Sequence, residues 1–171
     1  MAFRISGLAR KRFQHLFELD EAGLRARRAR RVVADTPRAF PCRVSLVDAE
    51  VGEALILVHH AHMAGSSPFR ASHAIYVRVA AEDRVLATDE VPALLRTRTL
   101  SVRAFDRGDM MCAAELVDGR QVEEAIDRLL GDPAVAFLHL HYAAPGCFAA
   151  RVDRAWSGSG KRKPRSRRGF P

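Results

Sequence analysis

A short stretch near the middle of the chain concentrates side chains that could bind or transform a ligand. Residues 66–78 read Ser-Ser-Pro-Phe-Arg-Ala-Ser-His-Ala-Ile-Tyr-Val-Arg, which opens as a polar turn and closes as an alternating strand. Its polar side chains include Arg70, Ser72, His73 and Arg78. Because arginine matches carboxylates and phosphates in two-point geometry, the stretch predicts one wall of a site for a small anion.

Three other segments each place a polar side chain inside an apolar run. The three side chains are Arg43, Arg103 and His141. A half-buried arginine needs acceptors or water, because an unpaired buried charge is costly. We expect the arginines to converge with His73 or His141 in one anion-binding cleft. Internal ion pairs with Asp106 or Asp153, or scattered surface pairs of little energetic worth, are the alternatives.

Nucleophilic catalysis is a second possibility for the same segments. Cys42 begins a predicted strand, Arg43 follows it, and His73 or His141 could serve as a base. A thiol needs a basic neighbour or a positive field to become reactive. The alternative is a buried structural cysteine, since free cysteine is among the residues most often buried.

Histidines raise the question of a metal site. His139 and His141 are two apart on a predicted strand and point the same way, and Cys147 follows after a turn. With His73 they would make a zinc ligand set. The spacing matches no zinc signature, the run at residues 59–62 has no adjacent carboxylate, and we therefore predict neither a metal nor another cofactor.

The surrounding pattern predicts an α+β fold, with a mixed, mostly antiparallel sheet covered by a few helices. Short turns join most of the predicted strands, which favours antiparallel pairing. We expect one globular domain over residues 1–156. Helices are predicted over residues 8–19, from an Asp20 N-cap toward Arg31, and from an Asp118 cap to Gly131. Residues 42–46 alternate as a strand.

The charge of the chain lies mostly in its last residues. The net charge is +8, but residues 157–171 hold six basic residues and no acidic one, which leaves 22 basic against 20 acidic residues before them. This composition predicts a disordered basic tail. Such a tail could contact nucleic acid through phosphates, without reading bases, as the alternative to a small-molecule function.

Cysteine content and hydropathy favour a cytoplasmic protein without a membrane partner. Three widely spaced cysteines do not form a disulfide framework. No apolar run reaches the length of a membrane span, and the first residues lack the apolar core of a secretory signal.

Four strings of the sequence resemble an uncharacterised bacterial family, domain of unknown function 1203. They begin at Pro41 (PCRVSL), Ser67 (SPFRASHAIYVR), Arg103 (RAFD) and Gly146 (GCFAARVDR). The resemblance extends over residues 3–154 and excludes the basic tail. It implies no activity, so no site residue can be assigned from it.

Overall fold

A five-stranded antiparallel sheet contains both the first and the last strand in the computed structural model, which describes residues 1–155. In order across the sheet, its strands are β1 (Phe3–Ser6), β8 (Phe148–Arg154), β7 (Phe137–Tyr142), β5 (Thr99–Phe105) and β6 (Met111–Asp118). β5 and β6 are consecutive in the chain and form a hairpin.

A second antiparallel sheet has three strands, in the order β2 (Ala29–Val33), β3 (Ala54–Met63) and β4 (Ala71–Arg78). His60 lies directly opposite His73 in the pairing of β3 with β4. The register then shifts between Ala61 and Met63, so that His62 is the extra residue of a β-bulge. Bulges re-aim side chains, and this one lies beside the histidines described below.

Two helices, α2 (Ala93–Arg96) and α3 (Val122–Leu130), cover one face of the larger sheet. A third helix, α1 (Glu21–Ala26), packs beside β2 and buries Leu24 in the core of the smaller sheet. The apolar stripe of α3 packs with Leu100, Val102 and Leu138 of the sheet. The carboxylate of Asp118 accepts a hydrogen bond from the backbone of Arg120 at 2.9 Å, so this residue caps the turn that leads into α3.

The inner face of the larger sheet meets one end of the smaller sheet. Alternation turns Arg103, His139 and His141 toward this face and leaves Leu138 and Leu140 in the core beneath α3. The inner face of the smaller sheet is apolar at one end, with Ile56 and Val77, and rich in histidine at the other. Two mostly antiparallel sheets with few helices confirm the predicted α+β class.

Two of the helix predictions were wrong about which residues are helical. Residues 8–19 form two 3₁₀ turns, Arg10–Arg12 and Gln14–Leu16, whose period of three suits the buried pair Phe13 and Leu16. Asp20 does cap α1, accepting from Gly23 at 2.7 Å. That helix ends at Ala26, however, and Arg30 and Arg31 lie in β2, because pairing with β3 outweighs local helix propensity.

Residues 42–46 are not a regular strand, although their sequence alternates. Isolated bridges join Pro41 to Asp48 and Cys42 to Tyr76, and Leu46 has a φ of 51°. All five residues are buried, so Arg43 lies inside the fold and not on an outer, polar face.

The predicted basic tail lies outside the described residues. Within residues 1–155, no helix is long and apolar enough to span a membrane.

Candidate functional site

A cavity of about 660 Å³ opens between the 38–43 segment, the end of β7 and the exposed side of β4. Most of its walls are apolar, from residues such as Leu57, Pro41 and Pro145. Its polar lining consists of Arg38, Arg43, His73, Tyr76, Arg98, Thr99, Tyr142 and Cys147. Among the described residues that line it there is no aspartate or glutamate. The cavity is therefore a mostly apolar chamber with cationic walls.

Arg43 is the most deeply buried of these cations, with 1% of its surface exposed. Its Nε donates to the carbonyl oxygen of Phe148 at 2.8 Å, one terminal nitrogen donates to the carbonyl of Pro41, and the other donates to Sγ of Cys147 at 3.0 Å. These acceptors satisfy three of its five N–H groups and include no carboxylate. Within residues 1–155, no carboxylate lies within ion-pair distance of this guanidinium.

Tyr142 lies beneath two guanidinium groups. The Cζ atoms of Arg43 and Arg98 lie 4.9 and 5.2 Å from its ring centroid. Arg98 is also held by the carboxylate of Asp48, at 2.6 Å. The Tyr142 hydroxyl is buried without a hydrogen-bond partner among the described residues. Burial raises the pKa of Tyr142 to about 12, although the two arginine charges oppose the shift, so the hydroxyl is a neutral donor.

Four histidines gather beside this cavity, between the two sheets. The ring of His62 stacks on that of His73, with centroids 5.6 Å apart, and meets that of His141 edge-on at 5.1 Å. The ring of His139 also meets that of His62 edge-on, with centroids 5.7 Å apart. Ligand atoms of His62, His73 and His141 all lie within 4.8 Å of one another. We call these three residues the histidine cluster.

Burial keeps most of these imidazoles neutral. It is the main cause that lowers the pKa of His62 and of His139 to about 3 and that of His141 to about 4. Repulsion from neighbouring histidines and from Arg103 lowers all three further, whereas the Gly146 carbonyl partly opposes the shift at His141. At neutral pH these rings carry lone pairs and no charge.

The tautomer of His141 is set by the backbone. Its Nδ1 lies 2.9 Å from the carbonyl oxygen of Gly146, so in the neutral ring Nδ1 donates and Nε2 keeps its lone pair. The Nδ1 atoms of His62 and His73 are buried without a hydrogen-bond partner in residues 1–155. Buried polar atoms are normally satisfied, so these two nitrogens need an explanation.

The structure does not bring the predicted arginines into one cleft. Arg43 lines the cavity. Arg78 lies at the end of β4, is not part of the cavity lining, and forms an ion pair with Glu53, a partner that the sequence did not suggest. Arg103 lies near the histidine cluster, where its Nε donates to Ser101 at 3.2 Å, and burial lowers its pKa. Of the predicted site residues, the cavity lining therefore contains Arg43 and His73 but not His141 or Arg103.

The other predicted site residues lie elsewhere. Cys42 is wholly buried in the core of the smaller sheet, where its Sγ accepts from the backbone of Arg78 at 3.4 Å. Arg70 and Ser72 are exposed. Arg70 precedes β4, and Ser72 faces away from the side of β4 that carries His73, as the period of two along the strand requires.

Several residues of the site were not predicted from sequence. Arg38, Arg98 and Tyr142 come from a loop and two strand ends that are distant in the chain. His62 belongs to a histidine run that was visible, but only the bulge in β3 and the packing of the two sheets bring it against His73. No local periodicity contains that information.

A family comparison agrees with the resemblance noted in the sequence. The model of a family described as "Protein of unknown function (DUF1203)" matches residues 39–154. The chain belongs to this DUF1203 family. The matched residues include the whole histidine cluster and every residue that lines the cavity except Arg38, but not β1, α1 or β2. No curated protein and no solved structure matches the chain significantly.

Proposed function

We propose that this DUF1203 protein binds a small organic anion in the cavity lined by Arg43. One observation carries the proposal: a buried guanidinium, with neutral partners only among the described residues, faces a chamber without acidic lining. A buried charge is strongly stabilised by an opposite charge, which an anionic ligand would supply. Arg38 and Arg98 line the same chamber and would add to this attraction.

The residues that line the cavity indicate the chemical character of the rest of the ligand. Leu57, Ala74, Tyr76 and the Ala144-Pro145 turn supply apolar and aromatic surface. Ligand sites of this kind combine apolar walls with a few placed polar groups that fix orientation. The unpartnered hydroxyl of Tyr142 is one such group. We therefore expect an acid with an apolar body, such as an aromatic carboxylate, to bind better than acetate or inorganic phosphate.

The cytoplasm is the compartment we propose for this function. Cys42, Cys112 and Cys147 are all free thiols, and Cys147 contributes its sulfur to the Arg43 contacts. A reducing compartment keeps such thiols unpaired.

Thermal unfolding in the presence of candidate ligands tests the proposal. The full chain, with EDTA present, is heated with benzoate, phenyl phosphate, acetate or inorganic phosphate. A ligand that prefers the folded state raises the melting temperature, and at a fixed concentration the rise is larger for the tighter ligand. We expect the aromatic acids to raise it most.

Matched variants locate the binding. Arg38 is exposed at the rim, so Arg38→Gln should fold normally and weaken binding about fivefold, the loss of roughly 1 kcal/mol. Tyr142→Phe should also weaken it while keeping the ring. Arg78→Gln is the control, because Arg78 is committed to Glu53 outside the cavity. Equal loss in Arg78→Gln, or no shift with any acid, would contradict the proposal.

A further inference from the structure

We propose that His62, His73 and His141 together bind one divalent transition-metal ion. The three residues come from β3, β4 and β7, and their ligand atoms lie within 4.8 Å of one another. Imidazole nitrogen is a ligand for zinc, copper, iron and nickel, and three histidines with an open fourth position are a known arrangement for zinc. Zn²⁺ and Co²⁺ are therefore the probes of choice.

Each ring of the cluster has a nitrogen without a hydrogen-bond partner in residues 1–155, or one left free by the bond of its other nitrogen. Hydrogen bonding of His141 Nδ1 to the Gly146 carbonyl fixes the ring and leaves Nε2 free, as an outer hydrogen bond does for many metal-binding histidines. The partnerless Nδ1 atoms of His62 and His73 are explained if each ring exists to coordinate an ion. Tetrahedral zinc with Zn–N bonds of about 2.0–2.1 Å needs nitrogens roughly 3.3 Å apart, which small side-chain rotations from the present spacing would provide.

The packing of neighbouring rings holds His62 in place and distinguishes the three ligands from His139. His62 is packed between the ring of His73 and that of Phe148, which stacks on it at 5.0 Å. His139 is in contact with Phe105 and Phe137, and its imidazole is not among the ligand atoms that lie together. The site thus has three ligands, with His139 as a neighbour.

Two openings on the protein surface lead to the histidine cluster. His73 lines the anion cavity, and His62 lines a smaller opening beside the first 3₁₀ turn. An ion held here would lie at the wall of the cavity and could take its fourth ligand from it. Arg103 is a nearby cation, so charge balance favours an anion in that fourth position. This last step depends on the proposed anion cavity, whereas metal binding itself does not.

Titration of the full chain with metal is the decisive experiment. The protein is treated with EDTA, desalted, and titrated with Co²⁺ by visible absorption and with Zn²⁺ by calorimetry, without any added organic acid. We expect one equivalent of either metal to bind per chain. Bound Co²⁺ should show the visible absorption of a cobalt ion with a low coordination number and nitrogen ligands. Folded wild-type protein that binds no equivalent would overturn the proposal.

Variants assign the ion to the cluster. His62→Ala and His73→Ala should each weaken binding by at least about tenfold, because losing a ligand costs no less than losing an outer-shell partner. His15→Ala, His59→Ala and Cys112→Ser remove exposed groups away from the cluster and should bind as the wild type does. Circular dichroism checks folding. Wild-type affinity in His73→Ala, or equal losses in His59→Ala, would refute the assignment even if His62→Ala failed to fold.

The outcomes separate this site from the anion cavity. Zinc binding without any acid-dependent shift would support the metal site and reject the anion proposal. An acid-dependent shift in EDTA, with no metal bound, would do the reverse.

Discussion

At the scale of single residues, the arginines divide by the kind of partner they have. Arg43 is fully buried and bonded to backbone carbonyls and a thiol, whereas Arg78 is partly exposed and bonded to the Glu53 carboxylate. That ion pair is also the main cause that lowers the pKa of Glu53. Two arginines that look alike in sequence therefore differ in what their removal would cost.

We predict that Arg43→Ala destabilises the protein more than Arg78→Ala. Truncating Arg43 leaves the buried carbonyls of Phe148 and Pro41 without donors, and each unsatisfied group costs about 1–3 kcal/mol. Breaking the partly exposed pair of Arg78 costs about 1 kcal/mol or less. Urea unfolding of the two variants measures the difference. Equal losses would mean that Arg43 is as solvated as Arg78.

The buried histidines give the metal-free protein a predictable dependence on pH. The folded-state pKa of His139 is about 3, below the ordinary 6.5, so the unfolded chain binds more protons between these values. Stability therefore falls as pH drops below about 6.5, by at most about 1.4 kcal/mol per pH unit for each such histidine. The charged or titratable groups facing His139 are His62, His141, Arg103 and Arg151.

His139→Leu tests this dependence. The replacement suits the neighbouring Phe105 and Phe137 rings and removes one group that must stay neutral on folding. We expect its stability in EDTA to fall less steeply between pH 6 and pH 4 than that of the wild type, measured by urea unfolding at each pH. His15→Leu is the control, since His15 is exposed. An unchanged slope in His139→Leu would show that His139 is protonated in the folded state.

At the scale of elements, the irregular 42–46 segment positions Arg43 and depends on close backbone packing. Leu8 donates its backbone N–H to the Arg43 carbonyl at 2.7 Å, which joins the end of β1 to this segment. A Cβ on Gly7 would lie 2.6 Å from the Val44 carbonyl oxygen and 2.7 Å from that of Arg43. Only glycine permits this approach.

Gly7→Ala should accordingly destabilise the fold and disturb the anion cavity. The methyl group would push the backbone of residues 43 and 44 away, at a cost of about 1–3 kcal/mol typical of overpacking. Gly108→Ala is the matched control, because its Cβ would meet only the Asp106 side chain, at 3.3 Å. Thermal unfolding compares the two. A Gly7→Ala protein as stable as Gly108→Ala would show that the segment can move freely.

At the scale of the whole molecule, charge separates the tail from the rest of the chain. Residues 157–171 carry six basic residues and no acid, and they offer little apolar surface for burial. The remainder is almost neutral. Non-specific attraction to polyanions should therefore belong to the tail.

Deleting residues 157–171 should leave the unfolding midpoint almost unchanged and lower the salt concentration needed for elution from heparin. Replacing the six basic residues by serine within the full chain separates charge from length and should have the same effect on elution. A large fall in the midpoint would show that the tail packs on the globule.

Local sequence pattern determined which residues form several elements and which face of a strand they occupy. Contacts between segments distant in the chain determined how those faces pack together. Alternation placed His73 with Ile75, and His139 with His141, on inward faces, and capping and periodicity located α3 near its true bounds. Periodicity assigns a side chain to a face, but it cannot say which other face packs there. The bulge that turns His62 toward His73, the inward burial of Arg43 and the pairing of Arg78 with Glu53 arise from contacts between distant segments. Their energies exist only when the two sheets are assembled, so only the tertiary structure could specify them.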